Sequence, residues 1–129
     1  MDKKRYYKIM FLCAAIWNWI VGLTLLILSL IAPNLFPFFG VQIPPSLVFV
    51  QMLFILVIIF GIGLFIVYLD FEQNKGIIKM VIFEKISFFV VFLIYFFLDD
   101  INFLVLLLTI IDLFFGMLFI EFLINVNKL

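Results

Sequence analysis

Four ionisable side chains lie in stretches of the sequence that are otherwise apolar: Glu84, Lys85, Asp112 and Glu121. Ionisable groups in the hydrocarbon of a membrane are costly, so each one needs a partner, a route to water or a function. Carboxyl groups in such a place can bind a proton or a ligand, or they can form a polar contact that fixes the pairing of helices. The elements that carry these residues decide which chemistry is open to them.

The composition defines the class of protein. Hydrophobic residues make up 69% of the sequence and charged residues 12%, with 20 phenylalanines in 129 residues. A soluble domain has roughly 45–50% apolar and 25% charged residues, and a water-soluble core of this length could not bury so much apolar surface. The sequence therefore predicts an all-α integral membrane protein with one transmembrane domain, residues 1–129.

Four apolar segments approach or exceed the roughly 20 residues that cross a bilayer. They cover about residues 9–31, 47–69, 77–98 and 103–124. The third contains Glu84 and Lys85, but its aliphatic and phenylalanine side chains favour insertion by about 5–10 kcal/mol, whereas two charges cost at most about 5–7 kcal/mol. We interpret the first as an uncleaved helix, since it is long for a signal peptide and no cleavage site follows it. The sequence thus predicts a four-helix membrane bundle.

The connection between the first two helices, residues 32–46, contains all four prolines of the chain. Proline cannot continue a helix, yet this segment is apolar and uncharged. We expect it to pack against the outer rim of the bundle, as a stiff interfacial linker in preference to a functional lid. Apart from Lys85, every Lys and Arg lies near the two termini or the second connection, so both termini are predicted to be cytoplasmic and the Pro-rich segment to lie outside.

Asp112 is the deepest acidic residue. It lies about 13 Å from the outer end of its helix and about 18 Å from the inner end, at about 1.5 Å per residue, and cannot reach water from either side. Thr109 shares its face. Asn18, between Trp17 and Trp19, lies at a similar height. We expect a neutral Asp112 carboxyl that is hydrogen-bonded to Asn18, to the indole N–H of Trp17 or Trp19, or to a neighbouring carbonyl.

Lys85 is expected to extend toward the cytoplasmic interface and to meet Glu121, a phosphate or water instead of Asp112. Side chains lean toward the N-terminus of their own helix, and the third and fourth helices are antiparallel. The predicted intramembrane polar cluster comprises Asn18, Glu84, Lys85, Asp112 and Glu121, with Trp17, Trp19 and Thr109 as candidate donors.

Several chemistries have no support in the sequence. There is no histidine, and Cys13 is alone in an apolar run, which argues against metal, disulfide and thiol chemistry. Nothing resembles a phosphate-binding loop, a nucleophile motif or a nucleic-acid-binding patch. We predict no catalytic residues, metal, cofactor or nucleic-acid partner, and we favour a protein that is not an enzyme.

Three short stretches of the sequence resemble a known group of membrane proteins. They are Ala15-Ile16-Trp17-Asn18-Trp19 with Gly22, Gly61-Ile62-Gly63, and the run from Asp70 through Asn74-Lys75-Gly76-Ile77 to Lys85. The chain resembles small uncharacterised prokaryotic four-helix membrane proteins, loosely similar to the DoxX-like group. The resemblance implies the plasma membrane of a prokaryote and a link to quinol oxidase, sulfur or redox functions. It transfers no catalytic residue to this chain.

Three functions remain open. We favour an accessory or structural subunit of a membrane complex. The first alternative is a small oligomeric carrier or channel with a proton- or ligand-binding centre around Asp112, Glu84 and Lys85. The second is a membrane-embedded protein that handles a redox partner, a lipid or a quinone. Each implies the lipid bilayer as partner, together with a homo-oligomer or a larger complex.

Overall fold

The computed structural model describes residues 2–129; Met1, the first residue of the predicted domain, lies outside the described residues. Four long α-helices follow one another: α1 (Lys3–Ile31), α2 (Val48–Leu69), α3 (Lys75–Phe97) and α4 (Phe103–Asn125). A 3₁₀ helix, Pro33–Phe39, follows α1, and a 3₁₀ turn, Val126–Lys128, follows α4. Because every regular element among residues 2–129 is helical, the predicted all-α class is confirmed.

Three helical segments are long and apolar enough to cross a membrane: Lys3–Ile31, Val48–Leu69 and Phe103–Lys128. Their outward faces carry large apolar side chains, such as Ile20, Ile59 and Phe114, each more than half exposed. Such faces suit lipid and not water, which indicates a membrane protein. The α3 helix, with Glu84 and Lys85 near its middle, is not among the three.

The Pro-rich segment packs against the turn between α3 and α4. Phe36 is buried, and Asn102 at the start of α4 donates from its backbone to the carbonyl of Phe39 and from its side chain to the carbonyl of Phe38, at 3.1 and 2.9 Å. Gly40 has φ of 74° and approaches Asn102 so closely that a Cβ would lie 2.8 Å from the Asn102 nitrogen. The predicted packing on the bundle rim is therefore confirmed. We call this end of the bundle the loop end.

The opposite end, which we call the terminal end, brings together the start of α1, the α2–α3 connection and the end of α4. Lys4 forms an ion pair with Glu72 at 3.3 Å. The Tyr7 hydroxyl donates to Glu121 Oε1 at 2.9 Å. The first helix begins before the predicted residue 9 because Tyr7, in the basic head, is buried against α4.

Glycine permits a close approach of α1 and α2. A Cβ at Gly22 would lie 2.7 Å from Ile58, and one at Gly61 would lie 2.6 Å from the Trp19 ring. Without those atoms the two backbones can approach, as small residues allow in membrane helices. Gly61 thus allows close helix contact, and Trp17 and Asn18 lie on the adjoining turn of α1.

Aromatic rings join α1 to α4 at the terminal end. The Phe11 ring stacks on Phe119 and meets Phe122 edge to face, with centroid distances of 5.1 Å in both pairs. Phe71, from the α2–α3 connection, packs on Phe122 as well. Three of these rings, those of Phe11, Phe119 and Phe122, are fully buried, so the space between α1 and α4 is filled here. The open groove at this end, about 300 Å³ beside Lys4, Lys8 and Glu72, lies on the surface.

Candidate functional site

Lys85 is fully buried in the middle of the bundle and makes two short polar contacts. Its Nζ lies 3.0 Å from Asp112 Oδ1 and 3.1 Å from Asn18 Oδ1. The expectation that Lys85 avoids Asp112 and reaches Glu121, a phosphate or water is therefore wrong. Lys85 and Asp112 form an ion pair between α3 and α4.

The path of the Lys85 side chain explains this outcome. Its Cβ faces Gly116 of α4, where an added Cβ would lie only 3.6 Å away, one helical turn from Asp112. The tilt of a side chain toward the N-terminus of its helix applies only to the Cα–Cβ bond. The rotatable bonds beyond Cβ let the Lys85 ammonium extend along α4 to the Asp112 carboxylate. Since the side chain is buried in protein, an acidic partner replaces the water that it has lost.

Asp112 accepts two hydrogen bonds on the same oxygen. Trp17 Nε1 and Lys85 Nζ each lie 3.0 Å from Oδ1. The expected indole donor is confirmed for Trp17. A neutral Asp112 was expected from its depth in the membrane and from a Lys85 directed elsewhere, and the second of these two premises is wrong. Its side chain is 18% exposed, and with both donors on Oδ1, the second oxygen, Oδ2, is available to another donor.

Asn18 links three helices through its amide group. Its Oδ1 accepts from Lys85 of α3, and its Nδ2 donates to the Val57 carbonyl of α2 at 3.2 Å. The residue is only 2% exposed. A buried amide satisfied at both ends orients its neighbours, so Asn18 holds the ammonium in place against α1.

Three predicted members of the cluster take other partners. Trp19 packs on Gly61 and Phe65 and does not bond Asp112. Thr109 is buried and donates to the carbonyl one turn earlier in α4, at 2.8 Å. Glu121 lies at the terminal end with Tyr7, so the structure separates it from the ion pair.

Glu84 lies beside the ion pair but makes no comparable contact. Its side chain is 6% exposed, and Oε2 lies 3.9 Å from Lys85 Nζ, too far for a hydrogen bond. Within residues 2–129, that oxygen has no hydrogen-bond partner although it is buried. Glu84 was predicted as part of the cluster, and the structure places it next to Lys85.

An apolar cavity of about 210 Å³ lies between the ion pair and the loop end. Trp17, Asn18, Thr109 and Asp112 line its polar end, and Phe36, Phe39 and Val41 cover the other. The walls are otherwise apolar, contributed by Val21, Leu25, Leu28, Val50, Leu53, Phe54, Val57, Phe88, Phe92, Val105 and Leu108. The uncharged, Phe-rich Pro segment was the one signal in the sequence that something covers this end.

The arrangement places a hydrogen-bond acceptor, Asp112, at one end of an apolar cavity. Among residues 2–129, no three His, Cys, Asp or Glu side chains come together as candidate metal ligands. Comparison with protein-family models, with curated proteins and with solved structures gives no significant match. The likeness to the DoxX-like group stays a prediction. What the structure defines is a class, a helical membrane protein with a buried ion pair beneath an apolar cavity.

Proposed function

We propose that this integral membrane protein binds a small apolar molecule, or the end of a lipid, whose head group donates a hydrogen bond. The cavity above Asp112 is the observation that carries the proposal. At about 210 Å³ it exceeds the roughly 150 Å³ of an engineered apolar cavity that binds benzene. A well-packed bundle leaves few such spaces.

The chemistry of the polar end selects the head group. Asp112 Oδ1 is taken by Trp17 and Lys85, so Oδ2 is the acceptor that remains for a ligand. The indole N–H of Trp17 and the amide of Asn18 already have partners. A hydroxyl or amino head group therefore fits, whereas a carboxylate or phosphate would meet the charge of Asp112.

Four crossings of the bilayer are part of the proposal. The two charges in the middle of α3 are covered by protein, because Lys85 is fully buried and the Glu84 side chain is 6% exposed. The lipid-facing side of α3 is apolar, with Phe83, Val91 and Ile94 exposed. Burial in protein removes most of the cost of charges at membrane depth, which supports α3 as the fourth span.

The proposed orientation has both termini in the cytoplasm and the loop end outside, in a prokaryotic plasma membrane. The basic residues of the chain, other than Lys85, cluster toward the terminal end, in agreement with the positive-inside rule. Reporter fusions after Gln42, Asp100 and Leu129 test this. We expect the first two to be active outside and the third inside; a C-terminal fusion active only outside the cell contradicts the orientation.

Trp17 offers a direct probe of binding, because it is one of only two tryptophans in the chain and lines the cavity. In a Trp19→Phe variant reconstituted in lipid, a bromoalkanol is expected to quench Trp17 fluorescence saturably. The bromoalkane of the same chain length, which lacks the hydroxyl group, should quench it more weakly. The control is a Trp17→Phe variant, in which the remaining tryptophan, Trp19, lies outside the cavity. Quenching of Trp19 fluorescence then reports the probe that is dissolved in the bilayer.

A cavity-filling variant completes the binding test. Val105→Phe places a larger side chain in the cavity wall and is expected to remove the saturable part of the quenching. If both tryptophans are quenched equally, without saturation and without an effect of Val105→Phe, the cavity is not a binding site. The accessory-subunit function would then be the stronger hypothesis; it stays a prediction here.

A further inference from the structure

The Glu84 carboxyl group has no role in the ligand cavity, and it is buried without a hydrogen-bond partner on Oε2. The cavity lining includes Asp112 but not Glu84. A buried carboxylate normally receives hydrogen bonds or a close cation, since an unsatisfied charge in protein is very costly. The nearest cation, Lys85 Nζ, is 3.9 Å away and is directed at other acceptors.

The charges around Glu84 do not balance if every acid is ionised. Within α3 the neighbouring charge is Lys85, and α4 contributes Asp112. Trp17 and Asn18, which α1 contributes to the cluster, are neutral, and the α2 sequence between Val48 and Leu69 contains no acidic or basic residue. One ammonium therefore faces two carboxyl groups inside the bundle.

The two carboxyl groups differ in the hydrogen bonds that they accept. Asp112 Oδ1 accepts from both the Lys85 ammonium and the Trp17 indole, at 3.0 Å each. Glu84 has only a longer contact to the same ammonium. Donors favour the ionised form of the acid that accepts them, and a second negative charge beside the first is disfavoured.

We propose that Glu84 is a proton-binding site: it carries a proton while Lys85 is paired with Asp112. When the proton leaves, the Glu84 carboxylate becomes a second acceptor for the Lys85 ammonium. No other bond forms or breaks, and the proton passes to water. The cluster of Lys85, Asp112 and Glu84 is thus electrically neutral in the state that the structure shows.

The proton site also bears on the cavity, because Lys85 lies between the two acids and Asp112 lines the cavity. Loss of the proton draws the ammonium toward Glu84 and leaves Asp112 a stronger acceptor for a ligand head group. By linkage, a bound ligand then changes the proton affinity of Glu84 by the same factor. This consequence rests on the proposed function, whereas the proton site itself does not.

Infrared spectra of the purified protein in an ester-free detergent test the proton site directly. A protonated carboxyl group gives a carbonyl band that shifts in D₂O and is distinct from carboxylate bands. At neutral pH we expect one such buried-acid band, absent from Glu84→Gln; in Asp112→Asn it should weaken, because Glu84 then becomes the carboxyl group that faces the Lys85 ammonium. Glu121→Gln is the matched control, because Glu121 lies outside the cluster with Tyr7, and it should retain the band.

Three outcomes overturn the proposal: no protonated band in the wild-type protein, a band lost in Asp112→Asn but kept in Glu84→Gln, or a band lost only in Glu121→Gln. Glu84→Asp guards against a variant that does not fold, since it keeps a carboxyl group and should shift the band instead of removing it. An unshifted band in Glu84→Asp also contradicts the assignment. These spectra need no ligand, so they stand or fall independently of the fluorescence test of the cavity.

Discussion

The two halves of the bundle are built from similarly apolar sequence but are packed differently. At the terminal end, Phe11, Phe119 and Phe122 are fully buried and in ring-to-ring contact. At the loop end, rings such as Phe88 and Phe92 surround a cavity of about 210 Å³. Empty space forfeits packing contacts. The interior of the terminal end therefore holds the helices together, and the interior of the loop end leaves room for a ligand.

The ion pair lies at the boundary between the two halves. Lys85 and Asp112 join α3 to α4, and Asn18 and Trp17 tie the pair to α1. Without hydrophobic exclusion by water, helices in lipid associate through packing and polar contacts. These polar contacts thus stabilise the packing at the terminal end and line the polar end of the cavity at the loop end.

Removal of Lys85 is expected to have the largest effect on stability. Lys85→Met leaves Asp112, whose side chain is 18% exposed, without its cation; breaking such a pair costs about 3–5 kcal/mol where it is buried. Denaturant or SDS titration of the protein in mild detergent measures the loss. Lys85→Met combined with Asp112→Leu removes both charges and should recover most of it; a double variant no better than Lys85→Met would show that the pair does not join the helices.

The contrast between the halves predicts unequal effects of the same substitution. Phe11→Ala removes a fully buried ring at the terminal end and should cost about 3–5 kcal/mol, as for other buried phenylalanines. Phe92→Ala removes a half-buried ring from the cavity wall and should cost much less. Equal losses in the same unfolding assay would mean that the loop end is packed as tightly as the terminal end.

A smaller effect is expected at the α1–α2 contact. In Gly61→Ala the new Cβ would lie 2.6 Å from the Trp19 ring, so the helices or the ring must shift, at about 1–3 kcal/mol. Gly76→Ala is the matched control, because a Cβ there meets nothing within 4 Å. The control should be neutral or stabilising by up to about 1 kcal/mol. If the two variants have the same stability, α1 and α2 are not in close contact.

Sequence reasoning identified the helices but not all of the contacts between them. The helices follow from composition, because a chain this apolar must satisfy its backbone within helices when it lies in lipid. Trp17 was found as a donor to Asp112 because the two lie at similar depth. The partner of Lys85 was missed because the prediction used only the depth of the residue and the direction of its Cα–Cβ bond. It left out the flexible side chain, which passes Gly116 on its way to Asp112.

The cavity could not be read from the sequence for a different reason. Val105 and Phe92 are ordinary apolar residues, and nothing in their type shows that the space between them is unfilled. A cavity depends on the distances between helices, which the Pro-rich segment and the α3–α4 turn set at the loop end. Hydropathy and helical periodicity contain no information on those distances.

The last and smallest effect concerns Asn102, which has two functions that can be separated. Its Oδ1 accepts from the backbone of Leu104 and Val105 and caps α4, while its Nδ2 donates to the Phe38 carbonyl of the rim. Asn102→Ala loses both and should cost about 0.5–2 kcal/mol, as for other N-caps. Asn102→Asp keeps the oxygen that caps α4 but loses the donor to Phe38. The stability of the protein should therefore change little, while the Pro-rich segment becomes more mobile.

Hydrogen exchange in nanodiscs distinguishes the two variants. In Asn102→Asp the backbone amides of Leu35, Gly40 and Val41, which donate to carbonyls within the rim segment, should exchange faster than in the wild-type protein. Amides of α4 should keep their protection, because an aspartate caps a helix as well as an asparagine does. Release of the bromoalkanol should speed up in parallel if the rim covers the cavity. Faster exchange with unchanged release would show that the rim orders the loop end without controlling access to the ligand.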